Sequence, residues 1–193
     1  MKENSHYHQT EAQMRTEYEI VEASKKDIAY FAPLYEKYYR QIFLYHQQRV
    51  EDKETAFDLT SQTFLKAMCS LHKYQFKGLP FSSWLYRIAH NEMIEAFRKK
   101  KAERVVNVQD EYLKNVMEEI NVDGYEVYFP KLLGFISDLP EDELHLIEMR
   151  FFEKRAFREI AEVLCITENN AKVKMHRLLE KLKKDFLNKV KAD

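Results

Sequence analysis

Residues 155–182 read RAFREIAEVLCITENNAKVKMHRLLEKL, and two helical repeats are written into them. Phe157, Ile160, Ala161 and Leu164 fall at i, i+3, i+4 and i+7, one apolar face of a short helix. Cys165, Ile166 and Thr167 break that pattern and predict a turn. Thr167 suits the N-cap of a second helix, because its hydroxyl can accept a first-turn N–H; Glu168 suits the positive end of the helix dipole. Ala171, Met175, Leu178 and Leu182 then form an inner face. A short helix, a tight turn and a second helix make a helix-turn-helix pattern. The second helix turns Asn170, Val173, Lys174 and Arg177 outward. Asn and Arg can bond base edges, and Lys suits phosphate. An ordinary helical hairpin with a basic solvent face is the other reading this pattern permits.

The surrounding charge favours a polyanion. The chain has 193 residues and a formal net charge of −1, yet residues 166–184 hold six Lys or Arg against two Glu. Residues 59–83 and 84–104 carry +3 each, 105–148 carry −9 and 149–193 carry +5. Two basic blocks thus flank an acidic one, as expected of two positive surfaces joined by a segment that no polyanion attracts. Just upstream, Pro140 opens a helix with Glu141, Asp142 and Glu143 in its first turn and Leu144, Ile147 and Phe151 on its inner face.

The N-terminal half is helical as well. Only 3 Gly and 4 Pro interrupt a chain that is 45% hydrophobic. The sequence predicts a helical turn over 25–31, then a helix with Pro33 at its first position and Leu34, Tyr35, Tyr38, Ile42 and Tyr45 at helical spacing. A second helix, from Glu54 to Leu71, turns Ala56, Leu59, Thr63, Ala67 and Leu71 inward. KGLPF (77–81) breaks the pattern, and Ser82 or Ser83 can cap a third helix over 83–101. Leu85, Ile88, Ala89, Met93 and Ala96 make its apolar stripe; Trp84, Arg87, Asn91, Glu95 and Arg98 make another, ending in RKKK (98–101). The expected class is all-α: two small helical domains joined by a flexible acidic linker, the C-terminal one holding the helix-turn-helix. The boundaries read as a polar tail over 1–24, a domain over 25–104, a linker over 105–130 containing a helical turn around Glu111–Ile120, and a domain over 131–193.

Both halves resemble bacterial RNA polymerase sigma factors. LPEDELHLIEMRFFEKRAFREIAEVLCITENNAKVKMHRLLEKL resembles their region 4, and DLTSQTFLKAM with FKGLPFSSWLYRIAHNEMIEAFRKK resembles their region 2. With only an acidic segment between them, the plan is similar to the extracytoplasmic-function (ECF) group. The resemblance covers residues 28–104 and 131–187. It implies that Asp58, Leu59, Gln62 and Phe64 contact the β′ subunit of core polymerase; for Leu59 and Phe64 core packing is the alternative. It implies that Phe76, Lys77, Gly78, Phe81 and Ser82 form the loop that captures a flipped minus-ten base, which aromatics suit because stacking on a base is worth about 1–3 kcal/mol; for Phe81 a core position is the alternative. Trp84, Arg87, Asn91, Arg98, Lys99 and Lys100 would face the same DNA. Asn170, Lys172, Val173, Lys174 and Arg177 would read the minus-thirty-five element, and Leu139–Phe152 would dock on the β-subunit flap. Promoter DNA, the β and β′ subunits and an anti-sigma factor are the partners implied.

This sequence departs from the family in places. Glu95 stands where Asp is common, Cys165 where Gly is common in the helix turn, and Leu179 where a basic residue is common. Lys172-Val173-Lys174 replaces Lys-Ser-Arg, and Lys cannot make the bidentate guanine contact of Arg.

Other function classes have less behind them. His145 and Glu148 at i, i+3 lack a third metal ligand in register, and no phosphate loop or nucleophile motif occurs, so neither an enzyme nor a cofactor is expected. A dimeric helix-turn-helix regulator with a helical sensor domain would not need the second basic block with Phe76, Phe81 and Trp84. Cys69 and Cys165 lack CxxC spacing and read as reduced thiols. No run approaches the roughly 20 apolar residues of a membrane helix, and MKENSHYHQT lacks a signal-peptide core, so a cytoplasmic protein is expected.

Overall fold

A computed structural model describes residues 9–99, 110–120 and 125–190. The described residues are helical throughout apart from short turns, with no β-strand pairing into a sheet. They divide into two compact units, one N-terminal and one from the acidic stretch onward, with Glu162–Leu164 grouped with the first.

In the first unit, α1 (Glu11–Lys26) leads through a 3-10 turn (Ile28–Phe31) to α2 (Ala32–Gln47), α3 (Lys53–Ser70), a second 3-10 turn (Leu71–Lys73) and α4 (Phe81–Arg98). α3 packs on both α2 and α4. Most positions of the predicted inner faces are buried: Leu34, Tyr38, Ile42 and Tyr45 of α2; Ala56, Leu59, Thr63 and Ala67 of α3 with Leu71 just after it; and Leu85, Ala89, Met93 and Ala96 of α4. Two positions depart: Ile88 is half-buried, and Tyr35 is 41% exposed, with its ring edge-on to Phe64. Pro33 sits one position inside α2, which begins at Ala32.

The expected polar tail over 1–24 gives way at Thr10 to a helix. Thr10 accepts from the Gln13 N–H while the Gln13 side chain accepts from the Thr10 N–H, a capping box that starts α1. Its buried face is Glu17, Val21 and Ser24, at i, i+4 and i+7. Apolar periodicity does not find such a face, because two of its three members are polar.

The second unit runs α5 (Asp110–Glu119), α6 (Tyr125–Ser137), α7 (Glu141–Ile147) with a π-helical extension (Glu148–Phe152), α8 (Phe157–Val163) and α9 (Glu168–Val190). Much of the expected linker is therefore helix. Leu113, Val116, Met117 and Ile120 of the α5 segment repeat at i, i+3, i+4 and i+7 and are buried, and Tyr112 stacks on Phe152 at 4.8 Å. Hydrophobic burial orders this stretch despite its acids, which sit on the outer face at Glu118 and Glu119. α6 and α7 both pack on α9, whose Ala171, Met175, Leu178, Leu182 and Phe186 are buried. Ahead of the helix-turn-helix, Arg155 is 1% exposed and its Nε donates to Glu153 at 2.5 Å, so the buried guanidinium has a buried carboxylate beside it.

Candidate nucleic-acid interface

α8, the turn and α9 form the expected helix-turn-helix. The chain leaves α8 in a left-handed conformation at Cys165, φ 55°, and the Ile166 N–H returns to the Ala161 carbonyl at 3.0 Å. That bond closes a Schellman-type helix end, in which the left-handed position favours Gly. Thr167 then caps α9, its hydroxyl accepting from the Asn170 N–H at 3.2 Å. Asn170, Lys172, Val173, Lys174 and Arg177 are all exposed. Lys172 is paired with Glu168 one turn earlier at 2.6 Å, so its charge is already partly met. Asn169 and His176 are also exposed on α9, and sequence pattern does not single them out.

In the first unit the loop between the second 3-10 turn and α4 separates the candidate aromatics. Phe76 is 36% exposed and packs against the Tyr18 ring at 5.2 Å; Lys77 is exposed, and Gly78 holds φ 68°, where a Cβ would be strained. Phe81 and Ser82 are buried. Phe81 lies within 6.5 Å, centroid to centroid, of the rings of Phe31, Tyr38, Tyr74 and Trp84, and is the hub of an aromatic core. Trp84 is 7% exposed against Tyr74 and Phe81. Phe81, Ser82 and Trp84, three of the expected DNA contacts, are thus buried in the unit's own core. α4 starts at Phe81, after Pro80, instead of 83, and its first turns are enclosed on every side, with residues 81–86 all buried. Neither Ser82 nor Ser83 caps it. The Phe81 N–H donates instead to the Glu17 carboxylate of α1 at 3.2 Å.

Along α4, Asn91 and Arg98 are exposed and Arg87 is half-buried. Lys99 is exposed and paired with Glu95, which also lies 3.5 Å from Lys66. Hydrogen bonding from Lys99 holds the Glu95 carboxyl below its ordinary pKa. Lys100 lies outside the described residues.

α3 divides the DLTSQTF residues by face. Leu59 packs with Val50, Ala56 and Ala96, and Phe64 lies under Tyr35 and Tyr39, so both are core. Asp58 and Gln62 are exposed beside Phe57, 41% exposed, and Leu65, 58% exposed. Phe57 and Leu65 are the residues that sequence reading missed here. Their signal was present: they fall out of phase with the inner face at 56, 59, 63 and 67.

Among the described residues, no cluster of His, Cys, Asp or Glu is placed to hold a metal ion, and no helix is long and apolar enough to cross a membrane.

A helical unit with an exposed apolar-acidic helix face, followed by a helix-turn-helix unit, is the arrangement that family comparison recognises. Residues 34–103 match Sigma-70 region 2, and residues 135–184 match Sigma-70, region 4. These two regions define the class, the sigma factors of RNA polymerase. The chain is 24% identical over 152 residues to the ECF RNA polymerase sigma factor SigM of Bacillus subtilis, covering 78% of this chain and 91% of that one. It is 27% identical over 154 residues to the ECF RNA polymerase sigma factor BldN of Streptomyces coelicolor, covering 79% of this chain and 58% of that one. It is 28% identical over 160 residues to the RNA polymerase sigma factor YlaC of Bacillus subtilis, covering 79% and 90%. The chain belongs to the ECF group of the sigma-70 family. Its function is promoter-specific transcription initiation, with core RNA polymerase and promoter DNA as partners.

Proposed function

We propose a division of labour between the two units. α9 enters the major groove of the upstream promoter element, with Asn170 and Arg177 at base edges and Lys174 on phosphate. The loop at Phe76–Gly78 captures a base of the downstream element as the strands part, while Asn91, Arg98 and Lys99 of α4 hold the adjoining backbone. The exposed face of α3, with Asp58 and Gln62 flanked by Phe57 and Leu65, docks on the β′ subunit. Leu59, Phe64, Phe81, Ser82 and Trp84 support these surfaces from inside. An anti-sigma factor, the partner that family resemblance implies, would act by covering the α3 face.

The observation that carries this reading is the Phe76–Lys77–Gly78 loop. It places an exposed aromatic and an exposed lysine, the latter ion-paired with Glu162, beside a glycine at positive φ. A duplex-reading regulator has no use for it.

The test compares two variants of the assembled holoenzyme on one promoter. Lys174→Ala with Arg177→Ala should weaken closed-complex binding and flatten the slope of log affinity against log salt by about 0.9 for each phosphate no longer neutralised. Phe76→Ala should leave closed-complex binding intact and lower the open fraction, read by permanganate reactivity of unpaired thymines, with the missing stack worth about 1–3 kcal/mol. If both variants lose core binding equally, the division of labour is wrong.

A further inference from the structure

The helix ahead of the recognised regions touches the capture loop in three places. Before the loop, Lys25 Nζ donates to the Tyr74 carbonyl at 2.8 Å. Within it, the Tyr18 ring packs on Phe76, centroids 5.2 Å apart and planes 31° apart. After it, the Glu17 carboxylate accepts the first N–H of α4 at Phe81. Glu17, Tyr18 and Lys25 lie on one side of α1, and Lys77 and Gly78 lie between the anchored points.

Each contact has a physical reason to matter. The first N–H groups of a helix lack partners in the helix itself, and Pro80 offers α4 no side-chain cap. A carboxylate at that end meets both the free donor and the positive dipole. Glu17 is 4% exposed and is also held by the Tyr38 hydroxyl and by Lys37 at 2.8 Å, so the cap is fixed in place from α2. Tyr18 covers part of the Phe76 ring, which remains 36% exposed. A ring backed by a second ring cannot swing away when a base arrives, and ordering a side chain before binding removes that cost from the binding step.

We propose that α1 is a positioning element for promoter recognition: Tyr18 and Glu17 hold the Phe76 loop in a base-accepting shape. This rests on the capture role proposed for that loop. Tyr18 and Glu17 act through Phe76 and the start of α4 and need not touch DNA.

The probe is a single-stranded oligonucleotide carrying the non-template downstream element of a promoter selected from random DNA by the wild-type holoenzyme. Its affinity for holoenzyme is measured by fluorescence anisotropy. Tyr18→Ala should weaken it about tenfold, within the range of one base stack. Tyr18→Phe, which keeps the ring, should restore wild-type affinity, and a merely structural role of the hydroxyl would not behave so. Glu17→Gln, which keeps an acceptor and removes the charge, should fall between them. All three should assemble with core polymerase as wild type does. Weakened binding by Phe76→Ala with wild-type affinity at Tyr18→Ala overturns the inference and leaves the capture loop standing. Tighter binding by Tyr18→Ala also overturns it, because α1 would then be a cover. No effect of Phe76→Ala overturns both.

Discussion

Replacing Phe81 by Ala should act first on the stability of the first unit. The ring is 2% exposed, and its centroid lies 6.3 Å from Phe31, 6.0 Å from Tyr38, 5.4 Å from Tyr74 and 5.4 Å from Trp84. A Phe→Ala change in a packed core removes transfer energy and leaves a cavity, together about 3–5 kcal/mol. Phe76 is 36% exposed with Tyr18 as its ring partner, so its removal should cost about 1 kcal/mol. Trp84 is the chain's single tryptophan and sits in the affected cluster, which makes its fluorescence a direct reporter of the unit. With a urea slope of about 2 kcal/mol per molar, Phe81→Ala should lower the midpoint by about 2 M and Phe76→Ala by about 0.5 M. Equal midpoints, with capture abolished only in Phe81→Ala, would refute the reasoning and make Phe81 a base contact.

Three further outcomes follow from local geometry. Cys165→Gly should stabilise the second unit by about 0.5–1 kcal/mol, the left-handed penalty relieved less the added freedom of the unfolded chain, and calorimetry would show a raised Tm. Ala in place of Thr167 should cost about 1 kcal/mol by removing the α9 cap, read by the same method. His46 is buried, its Nε2 3.2 Å from the Thr63 hydroxyl, and burial followed by the Arg49 charge pushes its pKa down to about 3. The unfolded imidazole binds a proton near pH 6.5 and the folded one does not. Stability should therefore fall as pH drops below about 6.5, by about 2 kcal/mol between pH 7 and 5, and His46→Gln should flatten that part of the curve in urea titrations.

Helix-turn-helix geometry was legible because its signals are local. Apolar spacing from Phe157 to Leu182, the cap at Thr167 and the odd residue at Cys165 each act within a turn or two. The inner faces of α2, α3 and α4 were legible for the same reason. Two elements were less legible, for different reasons. α1 turns Glu17 and Ser24 inward, since a hydroxyl, an ammonium and a distant helix end satisfy the carboxylate, and no window of sequence contains those partners. α5 was legible only as a helical turn around Glu111–Ile120 inside an acidic linker, because its acids masked the repeat that 113, 116, 117 and 120 carry. Phe81 and Trp84, expected to face DNA, are buried because the first turns of α4 are enclosed on every side. Without a visible cap, the start of α4 was placed two residues late, and aromatics that suit a base turned out to suit each other.

The most direct measurement is multi-round transcription from a selected promoter, with purified core RNA polymerase and this chain as the only added initiation factor. We expect a transcript of defined start site that needs both the chain and both promoter elements, and that Lys174→Ala with Arg177→Ala reduces without weakening core binding. Selection of a palindrome bound by a dimer of the chain alone, with no transcript from core polymerase, would contradict the division of labour at its root.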